Sequence, residues 1–153
     1  MRSIFILVLT LFSPLLFGQI EGKGIFCSFE DATDEMKSIL YDEFNLSGID
    51  IKNIKMSMLF KGGKAYAFLP RIDNDVISFT EGNRSEEYEV TADKIILGGD
   101  GLIDRKTLVL TQKQMGSLQC EVVDSETEFD EEKERMRSEI QALYDRLREG
   151  NRI

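Results

Sequence analysis

The chain has 153 residues, with 28 acidic against 19 basic side chains, a net charge of −9 and no histidine. An acidic surface repels nucleic acid and anionic lipid, so no nucleic-acid role is expected. The lack of histidine removes Ser-His-Asp and Cys-His nucleophile systems, and with them His-ligated zinc or haem.

Met1-Arg2, the apolar run from Ile4 to Phe17 and the small residue Gly18 have the order of a secretory signal peptide over residues 1–18. Cleavage is expected after Gly18. A retained membrane anchor would need roughly 20 apolar residues, and this run is shorter and broken by Pro14. The mature chain would hold about 135 residues (153 less 18), enough for one domain with a real core. Losing Arg2 leaves 18 basic residues against 28 acidic ones, a net of about −10. The expected location is secreted or periplasmic, with no stable membrane span once the leader is gone. The two cysteines, Cys27 and Cys120, form an even pair in such a chain and are expected to bridge.

After a flexible Glu21–Gly24 lead-in, Ile25 to Phe29 alternates as a strand. Met36, Ile39, Leu40 and Phe44 recur at helical spacing, which predicts a short helix over Asp34–Phe44; a long irregular loop is the alternative. Ile54 to Phe60 and Ala65 to Leu69 form a hairpin about Lys61-Gly62-Gly63-Lys64, which Pro70 is expected to end. Val76 to Thr80 is another strand. Glu81 to Glu87 is polar and turn-like, and Tyr88-Glu89-Val90 begins the next strand.

The stretch from Tyr88 to Val123 organises the sheet. Lys94–Leu97 reverses at Gly98-Gly99-Asp100-Gly101, where glycine and aspartate tolerate positive φ. Leu102-Ile103 and Thr107–Thr111 flank the polar tip Asp104-Arg105-Lys106, and Leu118–Val123 follows. Runs this close together require hairpins, because a parallel crossover needs a dozen or more residues. Seven to nine such strands make an antiparallel meander, and their regular shortness points to a small barrel or a strongly curved sheet.

From Ser125 the period changes. Ser125-Glu126-Thr127-Glu128 carries capping chemistry. Phe129, Met136, Ile140, Leu143 and Leu147 then share one face of a helix, with Tyr144 beside them. This stripe has three readings: packing on the chain's own sheet, docking of a partner or a second copy, and a loose tether. The expected division is therefore a leader at 1–18, a disulfide-linked β domain at 19–124 and an amphipathic helix at 125–153.

No sequence motif supplies chemistry. There is no P-loop, no GxGxxG after a strand and no SxxK. With 28 carboxylates, close pairs arise by chance and identify no acid–base couple. Asp73-Asn74-Asp75 and Asp100–Asp104 lack the EF-hand register and its closing glutamate, and read as turns. Asn45-Leu46-Ser47 and Asn83-Arg84-Ser85 match the glycosylation acceptor pattern.

The succession of a leader, EGKGIFC, a Gly-turned meander, LIDRKTLVL, then LQCEVV and a charged helix resembles small secreted proteins of marine bacteria over most of the mature chain. The IDRKTLVL hairpin and the two cysteines carry that resemblance, and the group lends no function. The Asp34–Phe44 segment and the lack of tryptophan depart from its pattern. In architecture alone the chain is similar to lipocalin-like small barrels and to periplasmic lysozyme inhibitors. The expectation is a mainly β, non-catalytic, exported module without a cofactor, binding a small apolar ligand or a protein. The alternative is an assembly component that self-associates through its C-terminal helix.

Overall fold

The computed structural model describes residues 20–82 and 86–150. The leader with its cut after Gly18, the Asn83-Arg84-Ser85 acceptor and residues 151–153 of the expected helical segment lie outside them. Among the described residues are nine strands: β1 (Gly24–Ser28), β2 (Lys55–Lys61), β3 (Lys64–Asp73), β4 (Val76–Glu81), β5 (Glu86–Val90), β6 (Lys94–Leu97), β7 (Leu102–Asp104), β8 (Val109–Gln112) and β9 (Gly116–Val123). Two α-helices accompany them, α1 (Asp34–Asp42) and α2 (Glu126–Gly150), with a short 3-10 helix over Ile51–Asn53.

Eight strands close into an antiparallel barrel in the order β1-β2-β3-β5-β6-β7-β8-β9, and β1 returns to pair with both β2 and β9. Closure removes the exposed edges a meander would otherwise carry. Strand β4 folds back along β3 outside this ring. The β3–β5 seam is short, with only Lys64↔Glu87 and Ala65↔Glu86 in register before β4 takes over that side of β3. Cys27 and Cys120 stand directly opposite each other in the β1–β9 ladder and are joined by a disulfide, which staples the closing seam.

The turns follow local chemistry. Gly62 and Gly63 take positive φ in the two-residue β2–β3 turn, and Asn74 and Asp75 do the same between β3 and β4, as a twisted hairpin requires. In the β6–β7 turn Asp100, rather than any of its three glycine neighbours, adopts φ 64°. A Cβ on Gly99 or Gly101 would come up against the ends of the Glu86 and Leu97 side chains, which would have to move. Asp104 accepts from the N–H groups of Lys106 (2.9 Å) and Thr107 (2.8 Å). These bonds hold its carboxyl below the usual carboxylate range, the Thr107 N–H being the largest cause.

Helix α2 lies across the outside of the barrel, against β1, β2, β9 and β4. Its start is fixed by Ser125 Oγ accepting from Glu128 N (3.2 Å) and by Glu128 Oε2 accepting from Asp124 N (2.9 Å). Phe129 sits between Phe26 of β1 and Phe68 of β3, at centroid distances of 5.2 and 6.0 Å, and Lys133 Nζ lies 4.5 Å above the Phe68 ring. Further along, Gln141 Oε1 accepts from Ile77 N (2.9 Å), while Tyr144 OH donates to Asp75 (2.8 Å) and Arg148 pairs with Asp75 (2.7 Å). Gln141 thus occupies a donor on the open edge of β4, the one edge the barrel leaves unclosed among the described residues.

Three segments depart from the pattern of the sequence. Pro70 does not end the second hairpin strand, since β3 runs on to Asp73 with Pro70 opposite Phe79. Ile72 turns its N–H and C=O toward Phe44 and Asn45 in the connection after α1, and Pro70, two residues earlier, faces the same way. Its missing N–H is therefore no loss to the β4 ladder. Second, Glu86 and Glu87 belong to β5 rather than to a turn. Third, β8 begins at Val109, because Leu108 adopts φ 54° and donates its N–H to Asp104 O (2.9 Å), which breaks the alternation expected from Thr107 onward.

Candidate functional site

Alternation assigns the inward-facing side chains. Ile25 and Cys27 on β1, Met56, Met58 and Phe60 on β2, Ile95 and Leu97 on β6, Ile103 on β7, Leu110 on β8, and Leu118 and Cys120 on β9 are all buried. They fill the waist of the barrel. On β3, however, the inward positions are Ala65 and Ala67, which stand opposite Phe60 and Met58 in the β2 ladder. Two short side chains on this stretch of the wall leave space in front of them. A cavity of about 300 Å³ results, lined by Met56, Met58, Ala65 and Ala67 on one wall and by Leu97, Leu110 and Met115 on the other. The space lies between the β2–β3 wall and the β6–β8 side of the barrel and is open to solvent at its rim. It is close to the lower end of the range for small-molecule sites.

Three methionines line it, and unbranched thioethers adapt to irregular apolar shapes. Two polar side chains reach its rim, Glu86 and Gln112. Gln112 Nε2 donates to Gly99 O (3.3 Å). Thr33 seals the neighbouring corner: its N–H donates to Met115 O (3.1 Å), its hydroxyl donates to Gln114 O (2.7 Å), and its Oγ1 accepts from Met36 N (3.2 Å) to cap α1.

The opposite mouth holds a smaller space of about 170 Å³, bounded by Ile20, Phe60, Ile95, Ile103 and Leu108 among others. Here Glu21 pins the β2–β3 turn by accepting from the N–H groups of Gly62 and Gly63, and it also accepts from Tyr88 OH (2.9 Å). The Gly62 N–H is the largest cause holding the Glu21 carboxyl below its ordinary range. Burial, and then the bond to Glu21, pushes the Tyr88 hydroxyl up to about 12. Tyr88 also meets Phe60 edge-on at 5.2 Å.

The structure brings together some of the residues singled out in the sequence and separates others. Cys27 and Cys120 meet. Along the helix stripe, Phe129, Met136 and Ile140 are buried and Leu143 and Tyr144 are partly buried against the chain's own core, which leaves Leu147 exposed at 39%. Most of this face thus packs against the chain's own strands, β4 among them. The two acidic loops act as turns: Asp75 is taken by Tyr144 and Arg148, Asp73 by Arg71 (3.0 Å), and Asp104 by its own backbone. Asn45, in the first acceptor pattern, donates its side-chain amide to Ile72 O (3.1 Å).

The cavity residues carry a sequence signal that is easy to pass over. Ala65 and Ala67 are the small members of a strand paired with Met-rich β2, and Glu86 occupies the same alternation class as Tyr88 and Val90. Among the described residues no helix is long and apolar enough to cross a membrane, and no three His, Cys, Asp or Glu side chains group as a metal site. Comparison with protein families, with curated proteins and with solved structures finds no match to this chain.

Proposed function

We propose that this chain is an exported, non-catalytic binding domain whose barrel takes a small apolar ligand between Met56, Met58 and Met115. The observation that carries this reading is the pair of short inward side chains Ala65 and Ala67, beside which an apolar space of about 300 Å³ opens between the barrel walls. A leader-like N-terminus and a bridge between Cys27 and Cys120 support export. A histidine-free chain without a nucleophile or cofactor motif supports binding rather than catalysis. The alternative, assembly through the C-terminal helix, would have to use what α2 leaves exposed of its stripe, which is Leu147.

Ala65→Phe fills the cavity from its own wall. An uncharged, environment-sensitive dye should brighten with the native protein and not with this variant, provided that both melt cooperatively. Native mass spectrometry of protein purified from an exporting host should also show a retained small apolar species that is lost in the variant. Equal dye response in the two proteins, with no retained species in either, would reject the reading.

A further inference from the structure

We infer that the ligand of this cavity carries a cationic or hydrogen-bond-donating head, held by the Glu86 carboxylate, on an apolar body. The inference rests on the ligand-binding reading above and adds the chemistry of one end of the ligand.

Glu86 begins β5, where Tyr88 and Val90 continue its face. Tyr88 packs edge-on against Phe60 and Val90 is buried, so this face of β5 is the inner one. Glu86 therefore points inward at a position where a barrel strand ordinarily places an apolar residue. Ala65, its partner in the ladder, is buried and has no side chain long enough to cover it. Across the rim, Gly99 has no Cβ, and one added there would collide with the Glu86 carboxylate. The carboxyl group thus lies against Gly99 at the rim, beside the short side chain of Ala65.

The carboxylate is half-buried, and among the described residues it takes part in no hydrogen bond or ion pair. Gln112, the other polar side chain at the rim, donates one amide hydrogen to Gly99 O and makes no bond to Glu86. A half-buried carboxylate at the mouth of an apolar space attracts a partner that donates N–H or O–H bonds and brings positive charge. It repels a carboxylate or phosphate head. The net charge of −9 acts in the same direction by drawing cations to the surface. The ligand class that fits is a small amphiphile with an ammonium head and an alkyl or aromatic body.

The test compares three probes with one tail, octylammonium, octanol and octanoate, by calorimetry on the full mature chain at neutral pH. Octylammonium should bind about tenfold more tightly than octanoate, as expected for one charge-assisted hydrogen bond at a partly wet rim. Glu86→Gln should erase most of that preference and leave octanol affinity unchanged, with an unaltered melting curve as the check on folding. Octanoate binding as well as octylammonium, or a preference that survives Glu86→Gln, would overturn the head-group assignment and leave the cavity reading standing. Binding of none of the three by a folded native protein would reject both.

Discussion

Gly24 lies directly beneath the Phe129 ring, so close that a Cβ at position 24 would overlap Cδ2 of that ring. Its φ is not positive, so what is required of Gly24 is the absence of a side chain and not backbone freedom. This contact sets the height at which α2 rests on β1. Gly24→Ala is expected to cost about 1–3 kcal/mol through overpacking, and Phe129→Ala about 3–5 kcal/mol through the void it leaves. Denaturant midpoints of the two variants would check this. A Gly24→Ala protein as stable as the parent would mean that the helix rides higher on the sheet.

Ser57 is fully buried between Phe26 and Phe68 in the β1–β2–β3 ladder, and its hydroxyl has no hydrogen-bond partner among the described residues. An orphaned buried hydroxyl is destabilising. Ser57→Ala removes it at nearly constant volume and is expected to stabilise the protein by about 1 kcal/mol. A rise in melting temperature is the readout, and a fall would mean that the hydroxyl finds a partner in solution.

The bridge closes a loop with a sequence separation of 93. In the chain-entropy model a loop of that size contributes roughly 4–5 kcal/mol. The paired Cys27→Ala, Cys120→Ala variant should lose stability of that order and still give strand-rich circular dichroism, because the β1–β9 ladder also holds the seam. Native, unreduced protein should take up no thiol label; labelling of both sulfurs would contradict the bridge.

Alkaline pH should weaken the fold through Tyr88. Its folded-state pKa, about 12 against an ordinary 10.0, means that folding favours the protonated hydroxyl. The stabilisation is complete below pH 10 and is lost as pH rises toward 12, because the unfolded chain releases this proton first. Tyr88→Phe should flatten that part of the stability–pH curve. Glu21→Gln should lower the Tyr88 pKa, read by tyrosinate absorbance, because Glu21 is one of the groups that raises it. An unchanged alkaline curve in Tyr88→Phe would refute the assignment.

Much of this fold is legible one segment at a time. The β2–β3 hairpin, the four-strand run from β6 to β9, the capped start of α2 and its apolar stripe follow from period, turn residues and caps, which are properties of neighbours in the chain. The cysteine pair and the meander also announce a curved β scaffold. Other features depend on which strands meet. That β4 leaves the ring so the β3–β5 seam holds two residue pairs, and that α2 covers both Phe26 and Phe68, are matters of long-range pairing. Pro70 is tolerated in β3 because its nitrogen happens to face away from β4, and Leu108 is held at positive φ by bonds to Asp104 and Cys120. The cavity is decided last. Ala65, Ala67 and Glu86 are ordinary residues in sequence, and they become part of a lined space only when ring closure sets the alanines across from Leu97 and Leu110 and register turns the carboxylate inward. Local pattern determines which face of each strand is apolar; the volume between the faces depends on which side chains the closed ring places opposite one another.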